Sequence, residues 1–516
     1  MRSLETTHTT TQHKLMDYYT LSFLFPLVLA LAYAIINSCR RNSRLPPGPF
    51  PLPIIGNLLH LSDNPHQSLA TLAKRYGPLM SLKFGTRTTV VVSSPDIAKD
   101  FFQTHDHSFS GRPIPDTVRV VDHDNYSLVW LPAGDQWRRL RKISKEYLFS
   151  VQRLDASEHI RQQKVRDLLD YVNQCCASGK VVNMGGIAFT TSLNALSNLM
   201  FSLDSAQYDS VSSQEFKDAV SALLEVSGKP NIADFFPILK PFDPQGLKRH
   251  SNVCIKKLLT IIDGIIDQRL QARSGSSVYG NVPSRNNDVL DLLLNINQKD
   301  ESEISRDDIT HLFLELFIAG IDTTSSTIEW AMVELIHRPH ILEKARLEVT
   351  KVMENKKNII QESDIARLPY LQAVIKETLR LHPPIPFLVP HQAIRDVEIQ
   401  GHLVPKNAQI LCNVWAMGRD PKIWSHPEKF MPERFLEGKT DYKGQSFELI
   451  PFGAGRRSCP GINIAHRMLH MMLGSLIQEF DWKLEGNMRA QDMDMDEKFG
   501  LTLQRKLPLM VIPTKI

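Results

Sequence analysis

The stretch PFGAGRRSCPG, Pro451 to Gly461, bends permissive backbone around one cysteine. Glycine suits sharp turns and close approach of backbone to another group, so Gly453, Gly455 and Gly461 predict a tight cradle built for Cys459. INIAHRMLHMMLGSLIQEF follows at once, apolar over enough residues for several helical turns. That places Cys459 at or near the N-terminus of a buried helix. The partial positive charge of the helix end, with Arg456 and Arg457 alongside, favours the ionised sulfur, the form that ligates metals and attacks electrophiles.

The 516 residues suffice for two or three average domains or for one large enzyme. With 42% hydrophobic and 22% charged residues the composition is ordinary globular, which argues against disorder or a fibrous class. Sixty Lys+Arg against 56 Asp+Glu leave a formal charge of +4, too small and too dispersed to argue for nucleic acid. Six cysteines without regular spacing are no disulfide framework and indicate a reducing compartment. The pair Cys175–Cys176, in a helical-looking stretch, reads as structural or incidental.

Tyr18 to Ile36 runs nineteen residues without a charge, enough to cross a hydrocarbon core of roughly 30 Å as a helix. A cleaved signal peptide is the rival reading, but Cys39, Arg40 and Arg41 stand where small residues would mark a cleavage site. Arg40, Arg41 and Arg44 follow the span and Arg2 and Lys14 precede it, so the positive-inside rule leans towards a cytosolic body. LPPGPFPLPIIGN, Leu45 to Asn57, then predicts a stiff extended hinge. The expected organisation is a lumenal N-terminus over 1–17, an anchor over 18–36, a basic, proline-rich hinge over 37–57 and a catalytic domain over 58–516. The body reads as mainly α with small β-sheets, strand-like near Val90 and Ile399. Gln271 to Asp288, rich in Gly, Ser and Asn, predicts a mobile connection.

Four further segments bear on what Cys459 holds. His311 to Pro339 is a long helix, apolar on most sides, with Gly320, Asp322, Thr323 and Thr324 midway. A polar cluster in a buried helix costs stability unless hydrogen-bonded, which suggests a function. The bland alternative is a threonine hydroxyl bonded to the carbonyl four residues earlier. On a helical wheel of Leu368 to Pro384, Glu377 and Arg380 fall opposite the apolar face, so periodicity makes them an exposed, weak ion pair. FMPERF offers Arg434 as a possible partner, and WRRLRK, Trp137 to Lys142, is basic with an aromatic lead.

Taken together these segments resemble the cytochrome P-450 superfamily of haem-thiolate monooxygenases, from the proline hinge to the C-terminus. The signature FxxGxRxCxG is met at Phe452, Gly455, Arg457, Cys459 and Gly461. The oxygen-activating motif is met at Ala319, Gly320, Asp322, Thr323 and Thr324, ExxR at Glu377 and Arg380, and the PERF arginine at Arg434. The resemblance implies the P-450 fold, on an N-terminal transmembrane helix, and haem b with its iron on the Cys459 thiolate. That ligand donates electron density favouring O–O cleavage. It implies a backbone approach to sulfur at Gly453 and Gly461, Phe452 as a shield, and haem propionates held by Trp137, Arg141 and Arg457. His391 stands where many relatives carry arginine. Glu377, Arg380 and Arg434 become a buried charged network behind the haem, against the exposed reading. Asp322 and Thr323 would arrange protons so that water leaves instead of peroxide.

The implied pocket is lined by Val118 and Val121, by Phe317, Ile318 and Ala319, by Ile385, Phe387, Leu388 and Val389, and by Leu501. It would take a small hydrophobic substrate. No dinucleotide fingerprint is evident, so NADPH would act through a separate NADPH-cytochrome P-450 reductase. AGIDTTSSTIEWAM, PFDPQG and FGAGRRSCPG look most like plant microsomal terpenoid oxidases, the monoterpenol 8-hydroxylases and abietane diterpene oxidases. That places the chain in the endoplasmic reticulum membrane, catalytic domain cytosolic. Oxidation of a phenolic or alkaloid, a haem isomerase, and an electron carrier are the other readings. His466 and His470 have metal-ligand spacing, but Arg467 stands where a zinc protease needs glutamate.

Overall fold

The computed structural model describes residues 44–208, 215–275, 288–354 and 359–516, with Phe25 and Val28. The span expected over 18–36 otherwise lies outside the described residues, among which no helix is long and apolar enough to cross a membrane.

Helix dominates. The elements that position the site are α1 (Pro65–Tyr76), α2 (Asp135–Ile143), α3 (Glu158–Ser178), α4 (Met184–Phe201), α5 (Glu215–Gly228), α6 (Leu247–Gly275), α7 (Arg306–His337), α8 (Pro369–Leu381) and α9 (Ile462–Glu479). The centre of the core is α7, 32 residues and so about 48 Å long. Its start is written in the sequence: Ser305 and Asp308 form a reciprocal capping box. Helix α7 is buried nearly all round, many of its polar residues included, and is packed by α4, α6, α8 and α9. Gly320 permits a close approach of α4, because a Cβ there would lie 2.7 Å from Leu196 Cδ1.

The sheets are small, as expected. The largest has the order β1-β2-β7-β4, from Leu79–Phe84, Arg87–Val92, Gln409–Cys412 and His391–Gln392. Strands β1 and β2 form a hairpin, β2 runs parallel to β7, and β4 pairs antiparallel with β7. This order carries Ile385–Val389 inward, because these residues lead directly into β4. The strand-like segment near Ile399 forms the hairpin β5 (Val397–Ile399) and β6 (His402–Val404). Near the C-terminus, β8 (Phe480–Leu484) and β3 (Val182–Asn183) flank β11 (Met510–Lys515). Strands β9 (Glu497–Lys498) and β10 (Gln504–Arg505) close the turn that holds Leu501.

Two local expectations are corrected. The proline-rich segment is irregular only as far as Pro51, then doubles back with Leu52 bridged to Gly56. Gly56 has φ +65°, and a Cβ there would meet the Lys83 carbonyl oxygen at 2.0 Å. The connection expected from Gln271 begins in helix instead, since α6 continues through Gly275; residues 276–287 lie outside the described residues. Arg273 extends the helix by pairing with Asp291 at 2.6 Å, a contact composition cannot reveal.

Candidate active site

The cysteine loop is shaped where its glycines are indispensable. Gly453 and Gly455 have φ +71° and +68°, and a Cβ on Gly455 would meet the Phe102 carbonyl oxygen at 2.3 Å. The loop closes when the Cys459 N–H donates to the Phe452 carbonyl at 2.8 Å, two residues before the Gly461 cap of α9. Gly461 has an ordinary φ of −86° and contributes its N–H to the sulfur.

The cations are arranged differently from expectation. Arg456 pairs with Asp106 at 2.7 Å, and Arg457 donates to the Ser110 carbonyl at 2.9 Å and the Leu131 carbonyl at 2.5 Å. The guanidinium acting on Cys459 is that of Arg141, which donates to the Ser458 carbonyl and hydroxyl. Burial outweighs it and the Gly461 N–H, and pushes the thiol above its ordinary value. The loop therefore presents a sulfur that a bound metal cation, rather than the arginines, would bring to its thiolate form.

Beside the loop lie a buried arginine, a half-buried one and a buried histidine. Gly111 bridges to Gln392, where a Cβ would come within 2.8 Å of the Gln392 carbonyl oxygen. This sets Arg112 next to His391, although 279 positions separate them in sequence. Arg112 donates to the carbonyls of Val389 and Pro390, yet its buried Nε has no acceptor. Burial and then Arg457 lower its pKa well below the ordinary guanidinium value. The His391 Nδ1 pairs with the Phe109 carbonyl at 2.8 Å, and burial, then Arg112 and Arg457, keep its ring neutral. Arg457 stacks 4.6 Å over Trp137, whose indole N–H donates to the Leu128 carbonyl at 3.1 Å. Sequence reasoning missed Arg112 because nothing local distinguishes it. It also missed Glu315, a carboxylate in the apolar run HLFLELFIAG, which had the same signal as Asp322. Glu315 accepts from Ser127 Oγ and the Leu128 N–H, and burial raises it to about 7.

Glu377 and Arg380 are fully buried, against the helical-wheel reading. Arg380 grips Glu377 through two hydrogen bonds of 2.6 and 2.8 Å, and Arg434 Nε adds a third at 3.0 Å. The Arg380 guanidinium also donates to the carbonyls of Gly418, Pro427 and Lys429. The segment 418–434 therefore covers the polar face of α8. Arg380 and Gly418 line a small cleft with Ile450 and Pro451, so the network adjoins the cysteine loop.

From Asp308 to Ile336, α7 is buried except at Ile318, Ala319, Gly320 and Thr323. Phe317 departs from expectation: its ring is fully buried, 4.9 Å from Phe216 and 5.8 Å from Phe201. Two residues of helix are about 200°, so Phe317 faces opposite Ala319. The Thr323 hydroxyl donates to the Ala319 carbonyl at 2.7 Å, and Thr324 does likewise to Gly320. Asp322 turns elsewhere, accepting from Thr502 Oγ1 and, at 2.7 Å, from Gln504 Nε2. Phe387 is buried with its ring centroid 6.0 Å from that of Phe499. Leu388, at φ +55°, faces the loop, 4.0 Å from where a Gly453 Cβ would stand. Ile385, Val389 and Leu501 are half-buried. Val118 and Val121 are also half-buried, on a segment tied to α6 through Ser251 and the Thr117 carbonyl. His466 is bonded to the Tyr442 hydroxyl and His470 to the His466 carbonyl.

A half-buried cysteine in a glycine cradle, beside cations one of which has a buried donor without an acceptor, fits a metal-bearing ligand with anionic arms. The cytochrome P-450 family model matches residues 46–511. The chain belongs to that family. It is 54% identical to cytochrome P-450 76T24 of Catharanthus roseus over 476 residues, 92% of this chain and 94% of the relative. It is 47% identical to geraniol 8-hydroxylase of Swertia mussotii, covering 97% and 99%. A solved zebra fish cytochrome P-450 structure with progesterone matches with a TM-score of 0.75 at 25% identity, over 87% of this chain and 99% of that one. The fold is the P-450 fold, mainly helical with small sheets, and the protein is a haem-thiolate monooxygenase supplied with electrons by a reductase. Cys459 would hold the iron, and Arg112, Arg141 and Arg457 would hold the anionic arms; His391, neutral with its Nδ1–H given to the Phe109 carbonyl, presents an acceptor Nε2 and supplies no charge to them.

Proposed function

We propose that this cytochrome P-450 hydroxylates a neutral terpenoid, a monoterpenol such as geraniol or an abietane-type diterpene, bound against the open stretch of α7. The carrying observation is that Ile318, Ala319, Gly320 and Thr323 are accessible in an otherwise buried helix, with Ile385, Val389, Phe499 and Leu501 partly open nearby in the family's arrangement. Their side chains are almost all apolar. Such a lining gains about 25 cal/mol per Å² of hydrocarbon surface buried, while an unpaired charge would cost several kcal/mol. The 47% identity to a geraniol 8-hydroxylase supports the same substrate class. Haem with oxygen and reductase electrons supplies the oxidising power; the protein's residues orient the substrate, exclude water and handle protons. The test is product analysis with reductase, NADPH, geraniol and an abietane diterpene. Product from either is expected; product only from phenolics or amino acids refutes the terpenoid assignment.

Removing the Phe387 ring also removes its contact with Phe499. Phe387→Ala is expected to change orientation preferences by about 1–3 kcal/mol, enough to invert a product ratio. Identical product distributions for wild type and variant would take Phe387 out of the pocket.

The charge-free segment Tyr18–Ile36 and the arginines after it support an endoplasmic reticulum anchor with a cytosolic body. Chains starting at Arg40 are expected to leave microsomes in high salt or mild detergent while still binding haem. Protease protection of the haem domain in intact microsomes would reverse the orientation.

A further inference from the structure

The residues after Leu501 are attached to the long helix one after another. Thr502 donates to one oxygen of Asp322 and Gln504 to the other. Between them, the Leu503 carbonyl accepts from Ser326 Oγ at 3.0 Å, and the Leu503 N–H donates to the Pro384 carbonyl at 2.7 Å. On the opposite side the backbone of Gly500 and Leu501 lies so close to Gly228, at the end of α5, that a Cβ there would stand 2.5 Å from the Leu501 nitrogen. The turn is thus wedged between α5, α7 and the segment after α8. Both Asp322 oxygens have donors, and neither donor is Thr323, whose hydroxyl is directed to its own helix. Burial raises the Asp322 carboxyl, while Thr502 and Gln504 hold it down.

We infer that Thr502 and Gln504 are positioning residues for Asp322, so that the turn that seats substrate at Leu501 also governs delivery of protons by the Asp322 carboxyl. This rests on the monooxygenase reading. Productive turnover consumes substrate, O2, NADPH and one proton, and yields alcohol, water and NADP⁺. The unproductive course takes the same O2, NADPH and proton and returns hydrogen peroxide and NADP⁺. Both courses consume the same proton; the first requires it from a positioned acid, whereas the second needs no such positioning. A substrate pressing on Leu501 acts on a backbone whose next residue holds the acid, which ties a filled pocket to proton supply through one short covalent segment.

The experiment uses the full chain with haem and reductase, comparing wild type with Thr502→Val, Gln504→Leu, Thr502→Ser and Asp322→Ala. Amide hydrogen exchange over 499–505 needs no substrate. It is expected to quicken about tenfold in Thr502→Val and in Asp322→Ala, as for loss of a charge-assisted hydrogen bond. Product per NADPH should fall about tenfold in Thr502→Val with Gln504→Leu, with peroxide rising to account for the electrons. Thr502→Ser should restore coupling, which a purely space-filling role would not require. Exchange unchanged in Thr502→Val overturns the inference whatever the substrate. So does an unchanged product-to-NADPH ratio in the double variant. Failure of the terpenoid reading is distinct: the wild type itself would then yield no terpenoid product, and the ratio would be measured with whichever compound gives a spectral shift.

Discussion

Cys459→Ser is expected to abolish the strongly red-shifted Soret band that the reduced wild-type protein gives under carbon monoxide, and with it all monooxygenase product. The backbone that presents the side chain should survive. Its features are φ +71° at Gly453, φ +68° at Gly455 and the Cys459 N–H bonded to Phe452, none of which involves sulfur. The donor changes instead. A thiol already pushed upward by burial still ionises when a metal cation binds, because its ordinary pKa is about 8.5 and the cation adds a large local charge. An alcohol in the same surroundings remains a neutral, weak oxygen ligand. Haem should therefore be retained poorly, and the stabilisation that tight binding adds to the folded state should fall with it. Absorption spectra with haem-to-protein stoichiometry provide the check. A variant that keeps the red-shifted band would show that another residue ligates the iron.

Glu377→Ala should be the most destabilising single substitution in the protein. It removes the acceptor shared by Arg380 and Arg434 and leaves two guanidinium groups side by side beneath the surface. Breaking a buried ion pair by deleting one partner costs about 3–5 kcal/mol. Native proteins exceed their unfolded states by only about 5–15 kcal/mol. The Met431 N–H, which donates to the same carboxylate at 2.7 Å, loses its partner as well. Trp424 lies 5.5 Å from one guanidinium and 5.8 Å from the other, so repulsion between them would disturb the packing of segment 418–434. The expected result is a chain recovered mostly aggregated or without haem. Glu377→Gln, which keeps the shape and one acceptor oxygen, should be intermediate and soluble enough for a denaturation midpoint. If Glu377→Gln stays within about 0.5 kcal/mol of wild type and binds a full complement of haem, the network is not structural.

What was legible in the chain follows from how far each signal reaches. Glycine tolerance of positive φ is a property of one residue, so Gly453 and Gly455 could be identified without a partner. The apolar run of α7 could be located from its neighbours in the chain, as could the strand near Val90, although the helix begins at Arg306, before the His311 expected. Gly461 differs from the other two, since its backbone is ordinary and its part is an N–H to sulfur. Helical periodicity failed at Glu377 and Arg380 because it assumes that a polar face meets water. Here that face meets carbonyls supplied 38 to 49 positions later, a distance over which no sequence pattern carries information.

Charge misled most where it was read from neighbours in the chain. Arg456 adjoins Cys459 closely in sequence but is neutralised by Asp106, while Arg141, more than three hundred positions earlier, is the cation at the sulfur. Arg112 acquires its place only when Gly111 pairs with Gln392, and Asp322 acquires Thr502 and Gln504 only when the C-terminal turn docks on α7. By itself the sequence determined the ligand loop, the helix that follows it and the long central helix, because those depend on backbone preference and apolar periodicity within a few turns. Only the tertiary structure decided which charges are paired, which are left for a ligand and which acid is held by which turn, because Coulomb and hydrogen-bond energies depend on distances between groups that the chain keeps far apart until it folds.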